Sequence, residues 1–218
     1  MATEFQAWTQ NLPLALIIIV IVSWLFYFLI APAGWREWSR AGLVQAFIIA
    51  LYAEMYGFPL TIYLLTSFVS VDIPMVHESG HLWATLLGYG IVGDSVEMLI
   101  GSVFIVTGIL LVIKGWRQVY VAKREGRVAV TGVYSVMRHP QYTGILLAVF
   151  GQLVHWPTIL TLLLAPIIAW AYVRLAHKEE ARMVEVFGDP YLAYQRQVPM
   201  FIPRWGQAIK QLFGTTPG

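Results

Sequence analysis

A chain of 218 residues that is 58% hydrophobic and only 12% charged, with a mean hydropathy of +0.67, lies well outside the soluble norm of about a quarter charged. Its net charge of +2 comes without a Lys or Arg run of the kind that binds nucleic acid. The absence of cysteine excludes a disulfide framework, a Cys-ligated zinc or iron–sulfur site and a thiol nucleophile.

The first apolar stretch, Leu12 to Ile30, is uncharged and long enough to cross a bilayer core of about 30 Å. Ala31-Pro32-Ala33 superficially suggests a signal-peptidase site. The run before it is too long for an ordinary signal core, and Glu4 rather than a Lys or Arg precedes it, so cleavage is not expected. Trp35 to Arg40 is polar with interfacial tryptophans and belongs at a membrane surface. The second apolar stretch, Leu43 to Val71, carries Gly57 and Pro59 midway. At roughly 43 Å if fully helical it exceeds what a bilayer needs, which predicts one long tilted or kinked helix.

Asp72 to Ser95 is a polar, Gly-rich loop without Lys or Arg, containing a short amphipathic stretch from His81 to Leu87. A third span is predicted over Val96 to Trp116. The chain is polar and basic from Arg117 to Gln141 and apolar again from Tyr142 to Leu175, where His155-Trp156-Pro157 marks a tight turn between two helices. Helix-forming polar sequence over Lys178 to Phe187 is broken by Gly188-Asp189-Pro190 and by Pro199 and Pro203. The expected fold is therefore all-α: a polytopic membrane protein with about five transmembrane helices. In that arrangement all 14 Lys and Arg fall on one side, so the positive-inside rule puts the N-terminus outside and the polar tail in the cytosol.

Two outlying features need weighing. His77-Glu78-Ser79-Gly80-His81 has the HExxH spacing of zinc proteases. It sits in the outer loop with only Asp72 and Asp94 as nearby extra carboxylates, and a helix N-terminus with Glu78 and Ser79 near the cap is the preferred reading; no metal site is assigned. Glu54 is a carboxylate set deep in an apolar run, where burial costs at least about 2.5 kcal/mol unless it is neutral or paired. It should face the bundle interior, as a proton acceptor or substrate contact or as a carboxyl bonded to Tyr52, Tyr56 or a neighbouring helix.

Chemistry concentrates in the second half. Thr131 to Gly144 contains Arg138-His139-Pro140-Gln141-Tyr142-Thr143-Gly144, with Pro140 suited to the first turn of a helix whose free N–H groups favour an anion. Glu179-Glu180 follows the last span, and then comes Phe187 to Pro203, FGDPYLAYQRQVPMFIP. Cationic donors, two carboxylates and tyrosines beside the bilayer match a zwitterionic, cationic-sulfur, aromatic ligand such as S-adenosylmethionine. The alternative is a set of ordinary interfacial charges and an aromatic belt.

Together, the run RHPQYTG, the Glu pair and the FGDPYLAYQRQVPMFIP tail resemble the isoprenylcysteine carboxyl methyltransferase and phospholipid methyltransferase family of membrane enzymes. That resemblance implies that Arg138, His139, Tyr142, Glu179 and Glu180 hold the methyl donor S-adenosylmethionine, that Tyr134 borders it, and that Arg174 and Glu180 face the methyl acceptor. It also implies a catalytic half over 96–218, following helices one and two and the outer loop over 1–95, and an active site on the cytosolic side of a bacterial or archaeal-type cell membrane. The partners implied are a lipophilic or lipid-linked acceptor and membrane lipid. Val133 after Gly132 departs from the family's usual proline and loosens one turn without removing a functional group. An NADPH-dependent membrane reductase of the sterol type has a similar His-Pro-x-Tyr turn and is the alternative, although Gln141 and Ile145 stand where such enzymes carry Asn and an acidic residue. A non-catalytic membrane subunit would need none of these groups.

Overall fold

The computed structural model describes residues 12–30, 35–69, 72–73 and 77–203. Among them there is no strand. The helices are α1 (Leu12–Ile30), α2 (Trp35–Tyr56), α3 (Leu60–Phe68), α4 (Leu82–Leu87), α5 (Gly90–Arg124), α6 (Pro140–His155), α7 (Ile159–Phe187) and α8 (Asp189–Gln197), with single 3₁₀ turns at His77–Gly80 and Gly132–Ser135. The all-helical expectation holds. By length and composition α5 and α7 are each able to cross a membrane, and Gly42–Tyr56 with Leu60–Phe68, bent by 69°, makes a third candidate as a broken span or re-entrant loop.

Several boundaries differ from those read in the sequence, each for a local reason. The second apolar stretch is two helices, because Pro59 offers no N–H to the ladder and the chain turns through Phe58, whose N–H bonds Ala53 O at 3.0 Å. The first of the two begins at Trp35, so the polar Trp35 to Arg40 segment is helical. Helix α5 extends well past Trp116 to Arg124: hydropathy marks where lipid ends, whereas backbone bonding continues as long as helix-forming residues follow. Similarly, α7 carries its apolar stretch and the polar Lys178 to Phe187 segment as one helix, with Pro166 inside it.

The chain forms two compact units, one of residues 1–105 and 149–171 and the other of residues 106–148 and 172–218. In the first, α1 packs on α2, and Gln45 donates to Ser23. Two carboxylates there cap helices other than their own. Glu54 accepts the N–H of Thr61 at the start of α3, and Glu97 of α5 accepts the N–H of Ala84 in the first turn of α4. A helix does begin just after Glu78 and Ser79, as expected: His81 stands at the N-cap of α4 without a side-chain cap bond, and Ser79 is buried. His77 lies in a 3₁₀ turn ahead of α4, so His77 and His81 do not share an α-helical face. The His77 and Tyr56 rings pack at 5.6 Å, those of His77 and Trp156 at 4.8 Å and those of His81 and Trp156 at 5.2 Å.

Small residues set the approach of α5 and α6. In the first unit, a Cβ on Gly101 would lie 2.7 Å from Gly151 O; in the second, one on Gly108 would lie 2.3 Å from Gly144 O, and one on Gly115 2.7 Å from Gln141 Cγ. Backbones this close gain dispersion contact that larger side chains would prevent.

Candidate active site

The second unit carries the chemistry. Arg138 and His139 precede α6, Tyr142 lies in its first turn, and Glu179 and Glu180 project from α7. Gly188 makes the sharp reversal between α7 and α8 with φ +60°, a backbone state that glycine adopts without strain. This reversal brings α8 and the segment after it back onto Arg138.

Arg138 is the hub. Its Nε donates to Glu180 Oε1 at 2.6 Å and its Nη2 to Glu180 Oε2 at 3.2 Å, the two-pronged geometry that favours arginine over lysine. Its Nη1 donates to Gln195 O at 2.8 Å and to Val198 O. Glu180 also accepts from Gln195 Nε2 at 3.0 Å and lies 3.1 Å from His139 Nε2. Both its oxygens are engaged, and the residue is 7% exposed. Arg138 N–H and His139 N–H donate to Pro199 O at 2.9 Å and Met200 O at 3.0 Å, and Thr143 Oγ1 donates to Phe201 O at 3.2 Å. Those two N–H groups, leading into α6, are therefore taken by the tail rather than left for an anion.

Glu179 has a different setting. It accepts from Tyr142 OH at 2.5 Å, and its side chain keeps 44% exposure. The His139 and Tyr142 rings stack at 5.4 Å and 6°, and Tyr172 meets Tyr142 edge-on at 5.3 Å. Tyr134 is buried, and its carbonyl accepts from Tyr194 OH at 2.6 Å. Burial, then Tyr194, Glu179 and Tyr191, raises the Tyr134 phenol above its ordinary range. Burial also raises Tyr194, and burial followed by Glu180 pushes Tyr191 up to about 12. These phenols keep their protons at neutral pH and serve as donors and apolar walls rather than bases.

Five of the residues singled out in the sequence thus meet: Arg138, His139, Tyr142, Glu179 and Glu180. Tyr134 is held by Tyr194 instead. Arg174 is exposed on α7, six residues before Glu180 and so about 120° away from it around the helix. Sequence reasoning missed Gln195 and Gln118. The latter accepts the Val133 N–H at 3.1 Å and lies against Gly132, whose φ is +61° and whose position admits no Cβ without collision with the Gln118 amide. A lone glutamine carries no pattern; only the fold shows what it holds.

Fold and site together define a class: an all-helical protein with membrane-crossing helices and a buried arginine–histidine–carboxylate cluster. The phospholipid methyltransferase family matches residues 95–190, which includes most of this cluster and bears out, for the second half of the chain, the resemblance seen in the sequence. Among the curated relatives are a protein-S-isoprenylcysteine O-methyltransferase of Schizosaccharomyces pombe, 33% identical over 33% of this chain and 31% of its own length, and protein-S-isoprenylcysteine O-methyltransferase B of Arabidopsis thaliana, 24% identical over 56% of this chain and 61% of its own. A methanethiol S-methyltransferase of a Pseudomonas species is 30% identical over 56% of this chain and 44% of its own length. The chain spans less than two thirds of each of these relatives. All three are named methyltransferases, and the reductase reading gains no support from them. No solved structure matches the chain.

Proposed function

We propose that this protein is an integral membrane methyltransferase that uses S-adenosylmethionine to methylate a lipophilic acceptor at the cytosolic face. The observation that carries the reading is the meeting of Arg138, His139, Tyr142, Glu179 and Glu180 in one unit, on a segment that matches a methyltransferase family. Five spans, an outer N-terminus and a cytosolic tail complete the proposal, supported by the placement of Lys and Arg. A reporter fused after Gly218 and active only in the cytosol is expected to be active, and an inactive fusion there with an active one in the outer loop would invert the topology.

The residues fit the donor. Glu179, partly exposed and tethered by Tyr142, is suited to the ammonium of an amino acid, and the Tyr142 and Tyr134 rings to a sulfonium. S-adenosylmethionine, when bound, supplies a methyl group on a cationic sulfur that takes back the bond electrons as a neutral thioether. The chain's own part is alignment of donor and acceptor, which supplies up to about 7–11 kcal/mol in favourable cases. A carboxylate acceptor needs no base, whereas an amine or thiol needs one. Glu180 is saturated by its donors, so its part is to hold Arg138 and His139 in place, and the contact with the acceptor falls to Arg174, exposed on another face of α7. Binding of S-adenosylmethionine and of NADPH to the detergent-purified protein tests the reading. Saturable methyl-donor binding, weakened at least about tenfold in Glu179→Gln by loss of one charge-assisted hydrogen bond, is expected. Binding of NADPH instead would favour the reductase.

A further inference from the structure

The first unit contains a buried carboxyl for which the site above has no use. Glu54 is 5% exposed. Its Oε1 accepts the Thr61 N–H at the start of α3, while its Oε2 is buried and has no hydrogen-bond partner among the described residues. Glu54 also lines a small cavity with Thr61, Gly80, Trp156, Pro157 and Thr158, among others, close to the least size that accommodates one water molecule. The cavity is built rather than left over. The break of the apolar stretch at Gly57–Pro59 brings Glu54 to α3, and Gly80 lets the Trp156 ring close in, since a Cβ there would lie 1.9 Å from Trp156 Cζ2.

A dry cavity leaves this oxygen unpaired in either protonation state. An ionised Oε2 lacks a donor, and a protonated one lacks an acceptor for its own O–H; each costs what an unmade buried hydrogen bond costs. One small molecule that can both donate and accept serves either form. Length matters too: the space excludes a quaternary ammonium or a lipid headgroup as a whole and admits a group of one heavy atom.

We propose that the Glu54 cavity is a binding site for one water molecule, which pairs with Glu54 Oε2 and completes the joint between α2 and α3. High-resolution maps of the parent and of Glu54→Leu test this directly. Density within hydrogen-bond distance of Oε2 is expected in the parent, and an empty cavity overturns the proposal. In Glu54→Leu, which removes both carboxyl oxygens, that density is expected to be lost, and density that stays in place belongs to other partners and overturns the assignment to Glu54. Should Glu54→Leu yield no folded protein, the map of the parent alone decides.

Discussion

Glu180→Ala is expected to lower the free energy of unfolding by about 3–5 kcal/mol, the range found when one partner of a buried ion pair is removed. The reason is asymmetry. Arg138 has a side chain only 12% exposed, and without Glu180 its guanidinium loses both carboxylate bonds while staying charged. His139, 8% exposed, and the Gln195 amide lose the same acceptor. The backbone bonds from Arg138 to Gln195 and Val198 remain, so α8 stays tethered but no longer braced against α7. Replacing both members, Arg138→Met with Glu180→Met, is expected to be less costly than Glu180→Ala, because no buried charge is left behind. Chemical unfolding of the three proteins in one detergent measures this. A single-variant loss below about 1 kcal/mol, the worth of a surface pair, would mean that Glu180 is solvated and is no brace at all. The consequence for function is separable: Glu180→Ala should abolish donor binding together with stability, whereas Glu179→Gln should weaken binding with little change in unfolding, since Glu179 is much more exposed.

How much of this was legible before the structure depends on the range of the interaction involved. The RHPQYTG run and the Glu pair could be found because their chemistry is dense in sequence, and the His155-Trp156-Pro157 turn predicts that the helices on either side run back beside each other. What Glu180 does could not be found. Its partners Arg138, His139 and Gln195 lie 42, 41 and 15 residues away, and nothing local says that four donors will converge on one carboxylate. Glu54 stands out by burial cost alone, yet its bond to Thr61 requires the break at Pro59, where the sequence predicted one long tilted or kinked helix instead. The HExxH spacing, set aside in the sequence, shows the same limit: spacing implies a shared face only if the backbone is α-helical, and at His77–Gly80 it is a 3₁₀ turn. Pattern identifies which residues are unusual; backbone geometry decides what they meet.

Gly108→Leu is expected to leave little folded protein, and the milder Gly108→Ala identifies the cause. On helix propensity alone, Gly→Ala inside a helix such as α5 stabilises by about 1 kcal/mol. At Gly108 the added carbon would lie 2.3 Å from Gly144 O and 2.8 Å from Ala148 N, and both are backbone atoms of α6, so neither can swing aside. Helix α6 must move outward, which costs about 1–3 kcal/mol for overpacking by a single carbon and more for a leucine. Packing should therefore outweigh propensity, giving a net loss of about 2 kcal/mol for alanine. Gly42→Ala supplies the opposite sign: Gly42 lies in α2 with nothing within 4 Å of its would-be Cβ, so the propensity gain of up to about 1 kcal/mol should appear undiminished. If both alanine variants gain stability, the α5–α6 contact at Gly108 is looser than 2.3 Å implies. If Gly108→Ala loses and Gly42→Ala gains, close approach of α5 and α6 is what the glycine provides. Because Arg138, His139 and Tyr142 sit at the start of α6, any outward shift of that helix moves the cluster too, so donor binding should weaken in Gly108→Ala and be unaffected in Gly42→Ala.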